Sequence, residues 1–122
     1  MKTLLGIGGS EDSLYALEKA IERAKQAGDD LTIAILENPD ASLTETEIRE
    51  RVSEALEAAG FEAEIKTVPG HPGSQLLDLS EQGSFDRIVL GGGETSPLGK
   101  VQLGEIAEFV LLNARTTVTL IR

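Results

Sequence analysis

The chain has 122 residues, 40% of them hydrophobic, with no cysteine and a net charge of −10. That length suits one domain with a real core, and the missing thiols exclude disulfides, thiolate nucleophiles and thiolate metal sites. No apolar run reaches the roughly 18 residues of a membrane span, no Lys or Arg cluster offers nucleic acid a basic footprint, and Met1–Leu5 lacks signal-peptide features, so the expected location is cytoplasmic.

The elements alternate. Thr3–Gly8 is a short apolar run and reads as a first strand. Ser10 then caps a helix whose Leu14, Leu17, Ile21 and Ala24 recur at helical spacing, and Gly28 stops it. Glu11 and Asp12 complement the dipole of its first turn. Leu31–Leu36 is a buried-type strand, broken by Asn38-Pro39-Asp40. Thr44 and Glu47 make a capping-box pattern ahead of the apolar face Ile48, Val52, Ala55, Leu56 and Ala59, and Gly60 ends that helix. Phe61, Ala63, Ile65 and Thr67 alternate with charged residues, the pattern of a strand with one wet face at a sheet edge. Pro72 opens a third helix carrying Leu76, Leu77 and Leu79. Phe85–Leu90 is the fourth strand, Leu103, Ala107, Val110 and Ala114 stripe the fourth helix, and Thr116–Ile121 is the fifth strand.

Strands joined through helices imply a parallel sheet covered on both faces. The fold class expected is therefore α/β: one three-layer α/β/α domain over residues 1–122, with five parallel strands in the order 3-2-1-4-5. The half-polar third strand then lies at one edge, and strands one and four flank the point where the winding reverses. Ligands of open α/β sheets bind beyond the carboxyl ends of the strands at such a point. Two glycine-rich turns, Gly6–Ser10 and Gly91–Gly93, follow those two strands. They are the candidate site.

With its order and spacing, the whole chain resembles the universal stress protein family. ATP-binding members of that family carry a G-x2-G-x9-G-[ST] loop before the last helix. Gly91 takes the first glycine and Gly104 the third, while Glu94 stands at the second glycine and Glu105 at the hydroxyl position. Family members open with an apolar strand followed by Asp-Gly-Ser; here Leu5-Gly6-Ile7-Gly8-Gly9-Ser10 occupies that place, with Gly8 at the aspartate. Val68-Pro69-Gly70-His71-Pro72 resembles the family's Gly-x-Pro, and Phe85-Asp86-Arg87-Ile88-Val89-Leu90-Gly91 its aspartate-led fourth strand. The connection from Leu36 to Thr44 is short for the family, which trims one wall of the usual pocket.

The resemblance implies a remnant nucleotide site at Gly8, Gly9, Ser10, Gly91, Gly92, Gly93, Gly104 and Glu105. Gly91–Gly93 can present backbone N–H groups to an anion or simply form a turn. Glu94 and Glu105 put carboxylates where the family places phosphates, and like charges about 4 Å apart repel by roughly 1 kcal/mol in water. Bound Mg²⁺ would reverse that sign. Glu105 also has a plain use at a helix start, and Lys100 is either a phosphate contact or a solvated loop residue.

Other chemistries fit less well. Gly8-Gly9-Ser10-Glu11-Asp12-Ser13 misses the S-G-G-x-D-S loop of ATP pyrophosphatases by its leading serine and the place of its aspartate. Response-regulator receivers need an acidic pair after strand one, where Gly8-Gly9 stands. His71 is the single histidine, which excludes a histidine-rich metal site and suits a surface turn. Acidity serves solubility, with a high-salt cytoplasm as the sharper reading of 21 acidic against 11 basic residues. The expectation is a non-enzymatic, cytoplasmic homodimeric interaction module with an unidentified protein partner. It binds no ATP or other cofactor, nucleic acid, metal or membrane, and pairs through the β-branched, lysine-free strand Thr116–Ile121. The alternative is an adenine-nucleotide or other anion binder using Gly91–Gly93 and Gly104.

Overall fold

In the computed structural model, which describes residues 1–38, 41, 43–91, 94–95, 101–102 and 104–122, strand and helix alternate as the sequence leads one to expect. β1 (Lys2–Ile7), β2 (Asp30–Leu36), β3 (Glu64–Val68), β4 (Arg87–Gly91) and β7 (Thr117–Ile121) form one parallel sheet in the order β3-β2-β1-β4-β7. This is the 3-2-1-4-5 order. A separate two-stranded antiparallel pair, β5 (Glu94–Thr95) and β6 (Val101–Gln102), was not foreseen.

Helices α1 (Glu11–Ala27) and α2 (Glu45–Ala59) cover one face, α3 (Pro72–Gln82) and α4 (Glu105–Asn113) the other. Alternate residues of β1 and β2 serve the two layers. Leu5, Ile7, Ile33 and Ile35 pack under α1 and α2, while Leu4, Ala34 and Leu36 pack under α3 and α4. Leu4, Leu5, Ile7 and Ile33 are fully buried, and each such aliphatic side chain contributes about 1.5–3 kcal/mol from burial.

Local chemistry fixes the helix ends. The Ser10 hydroxyl oxygen accepts from the Ser13 N–H at 3.3 Å, and the Ser13 hydroxyl donates to the Ser10 carbonyl at 2.8 Å. Thr44 and Glu47 close the capping box in both directions. Gly28 and Gly60 end α1 and α2 in the left-handed conformation that glycine adopts without strain.

The third strand departs from the expected Phe61–Thr67. The Phe61 N–H bonds to the Leu56 carbonyl and completes the end of α2, so pairing with β2 begins only at Glu64. Phe61 and Ala63 still turn inward onto the α1–α2 core layer, which is why the alternation extends beyond the strand. The fourth-helix stripe holds at Ala107 and Val110, both buried; Leu103 lies outside the described residues. Likewise Pro39 and Asp40 of the expected breaker lie outside them.

Candidate functional site

The winding reverses between β1 and β4, and a cleft of about 670 Å³ opens beyond the carboxyl ends of β1, β2 and β4. Its volume falls within the range of small-molecule sites. Gly8 and Ser10 form its floor beside Leu36, Glu37 and Asn38 from the end of β2. His71, Pro72 and Gly73 contribute the start of α3, and Gly104, Glu105, Ile106 and Phe109 the start of α4.

Each wall has a local cause. The Asn38 side-chain amide donates to the Gly8 carbonyl at 2.9 Å, tying the end of β2 to the end of β1. Glu37 accepts from the Gly70 N–H at 3.0 Å, which draws the β3–α3 turn toward the same end of the sheet. At the other side, α3 and α4 approach closely because Gly73 carries no side chain. A Cβ there would sit 2.4 Å from Phe109 Cδ1. His71 caps α3: its Nδ1 accepts from the Ser74 N–H at 3.1 Å, and its ring meets Phe109 edge-on with centroids 4.9 Å apart.

The charge of the described lining is one-sided. Glu37 and Glu105 are carboxylates, and no Lys or Arg lies among the described lining residues. Gly104 is the N-cap of α4 and offers no side-chain cap bond, so Glu105 and Glu108 supply the negative charge that complements its first turn.

Of the residues picked from sequence, Gly8, Ser10, Gly91, Gly104 and Glu105 come together around this cleft. Gly9 does not line it. It is buried behind, with φ of 81°, and a Cβ there would lie 2.7 Å from Ile48 Cδ1. Gly92, Gly93 and Lys100 lie outside the described residues, and Glu94 is described by its backbone pairing with Gln102. Reading the sequence did not find Glu37, Asn38 and Phe109 as wall residues, and it gave His71 only a turn. A signal for His71 existed: it directly precedes Pro72, the favoured first residue of a helix, which places it at the cap.

Comparison with known proteins gives a consistent result. The family model described as the universal stress protein family matches residues 1–122. A universal stress protein of Methanocaldococcus jannaschii is 27% identical over 138 residues, spanning 99% of this chain and 81% of that protein. A solved universal stress protein in complex with cAMP is similar with a TM-score of 0.76 and 25% identity, covering 100% of this chain and 96% of that one. The Archaeoglobus fulgidus universal stress protein in complex with dAMP is similar in fold, with a TM-score of 0.66 and 20% identity over 100% of this chain and 98% of its own.

Proposed function

This chain belongs to the universal stress protein family, and on that premise we propose that it is a homodimeric stress-response interaction module whose family cleft does not accept ATP. One observation carries the reading. The cleft presents Glu37 and Glu105, with no Lys or Arg among its described lining residues. A triphosphate entering there meets like charge, at roughly 1 kcal/mol per close pair in water and about 4 at an effective dielectric of 20. Gly8, where ATP-binding relatives place an aspartate, supports the same reading.

Ser10 and His71 are both engaged as helix caps, which supports structural rather than catalytic roles for them. The homodimer reading rests on β7. It is the last strand of the sheet, and its Val118, Thr119 and Leu120 are half-buried. Beside it, α4 leaves Leu111 and Leu112 exposed, at 40% and 76%. Unprotected edges of this kind pair with another chain, and two-fold pairing is the commonest closed solution.

A second reading has its own support. Leu36, Leu90, Ile106 and Phe109 give the cleft an apolar wall, and relatives of the same fold were solved with cAMP and dAMP. A mononucleotide brings less negative charge to Glu37 and Glu105 than a triphosphate does. Titration calorimetry with Mg-ATP and with AMP, at one moderate salt concentration, separates the two readings.

A further inference from the structure

The fold places the chain's single histidine at the seam between α3 and α4, on the wall of the cleft. Its Nδ1 accepts from the Ser74 N–H at 3.1 Å. Ser74 is the third residue of α3, where the helix offers its N–H no carbonyl of its own. A backbone N–H only donates, so Nδ1 must carry the lone pair and the ring proton sits on Nε2. The bond therefore exists with neutral imidazole alone. Protonation sets one N–H against another and adds positive charge at the positive end of the α3 dipole. Histidine is the side chain whose ordinary titration falls between pH 5 and 8. The usual cap residues Ser, Thr and Asn keep an acceptor oxygen throughout that range.

What surrounds the ring decides what a proton does there. The first turn of α3 carries no carboxylate to offset an imidazolium. From α4, Phe109 meets the ring edge-on, with centroids 4.9 Å apart and planes at 63°. Packing is tight at this point, since a Cβ on Gly73 would lie 2.4 Å from Phe109 Cδ1. The first turn of α4 carries Glu105 and Glu108. The end of β2 carries Glu37, one oxygen of which accepts from the Gly70 N–H. Glu37 and Glu105 line the same cleft as His71, and β1, β4 and α1 add no charged residue to the described lining. An imidazolium thus loses its partner at the helix end and finds only carboxylates across the cleft.

We propose that His71 is a pH-sensitive latch on this wall of the cleft. Neutral, it caps α3 and holds the start of that helix against Phe109. Protonated, it turns off the Ser74 N–H toward the cleft carboxylates, and the first turn of α3 loosens beside Phe109. The cleft then gains a cation that its described lining otherwise lacks. The latch acts whatever the cleft binds, so it stands apart from both the ATP and the mononucleotide readings.

The test is NMR of the isotope-labelled whole chain across the histidine range, about pH 8 to 5. At the upper end the His71 nitrogens are expected to show an unprotonated, hydrogen-bonded Nδ1 and a protonated Nε2. As His71 titrates, Ser74 amide exchange, corrected for its intrinsic pH dependence, is expected to quicken about five-fold, the factor that corresponds to a cap of about 1 kcal/mol. The Phe109 ring resonances move with the same midpoint. His71→Asn caps the helix without titrating, so it stays folded and shows neither change. The proposal is overturned if Ser74 exchange holds constant while His71 titrates, or if Nδ1 is protonated at the upper end. It is equally overturned if His71→Asn reproduces the Ser74 and Phe109 responses, since another group is then the one that titrates.

Discussion

Asn38 donates its side-chain amide to the carbonyl oxygen of Gly8 at 2.9 Å, across 30 residues of sequence. The bond stands at the place where family members that bind ATP carry an aspartate. A Cβ on Gly8 would lie 3.2 Å from Asn38 Nδ2, a tight contact with a movable polar group. Gly9, one residue on, is different in kind. Its φ is 81°, and its missing side chain is faced by Ile48 and Ala41.

Gly9→Ala is therefore expected to destabilise the fold by about 2–3 kcal/mol. The left-handed backbone costs an L-residue roughly 1–2 kcal/mol, and crowding a buried side chain adds about 1 or more. Ile48 is 3% exposed and has little room to turn away. Urea unfolding at fixed pH measures the difference. A loss under about 0.5 kcal/mol would show that the turn relaxes and that Gly9 is replaceable.

His71 offers a cleaner comparison, because its cap to the Ser74 N–H and its edge contact with Phe109 can be separated by substitution. His71→Ala removes the acceptor for the Ser74 N–H and is expected to cost about 1 kcal/mol, the usual worth of an N-cap. His71→Asn supplies another good cap and is expected to keep most of that stability. Should both variants lose equal stability, the edge contact with Phe109, not the cap, is what His71 provides.

Elements whose limits depend on neighbours in sequence were legible beforehand. Ser10, the Thr44–Glu47 box, Gly28 and Gly60 each act within a few residues, and each sits where the sequence reading put it. The strand order followed from the half-polar third strand and the rule that parallel crossovers carry helices. The cleft walls were another matter. Glu37 reaches Gly70 across 33 residues, and Asn38 reaches Gly8 across 30, so no local pattern announces either. The close approach of Gly73 to Phe109 likewise exists only once α3 and α4 are packed. Phe61 shows the converse error: its alternation reported burial correctly, yet burial came from capping α2 and not from a strand.

Assembly through β7 is testable by removing one backbone donor at the edge. Successive residues of a strand direct their N–H groups to opposite sides, so one of Val118→Pro and Thr119→Pro spares the ladder to β4. That variant is expected to keep its circular dichroism spectrum and sediment as a monomer at micromolar concentration, where the parent sediments as a dimer. A parent that is monomeric under these conditions would remove the homodimer from the proposed function.

The ATP reading gives a direct number. Calorimetry with Mg-ATP at moderate salt is expected to show no binding tighter than about 0.1 mM, equivalent to roughly 5–6 kcal/mol. Low-micromolar binding would overturn it. The salt must be stated, because the screening length falls to about 3 Å at 1 M and hides the repulsion invoked here.

If charge and one missing carboxylate closed this cleft to ATP, restoring the family pattern should reopen it. The combined change Gly8→Asp, Glu94→Gly and Glu105→Ser is expected to raise ATP affinity about ten-fold or more, which needs about 1.4 kcal/mol. Removing two carboxylates relieves on the order of 1 kcal/mol each in water-like surroundings. Glu105→Ser adds a hydroxyl donor at the first turn of α4, and Glu94→Gly lets the backbone come closer to phosphate. Gly8→Asp is the demanding step. Gly8 does not have the positive φ that bars a side chain, but the new Cβ would meet Asn38 Nδ2 at 3.2 Å. Asn38 must shift by a few tenths of an ångström, and its amide can then donate to the new carboxylate. Adding Asn38→Gly to the triple variant distinguishes the remaining causes. If the triple variant folds but binds no better, and Asn38→Gly then restores affinity, the β2 end had blocked the site. If neither set of changes helps, the Glu37 carboxylate and the short connection after Leu36 are the remaining causes, and a further Glu37→Gln change separates them: restored affinity assigns the closure to charge, and unchanged affinity assigns it to the connection.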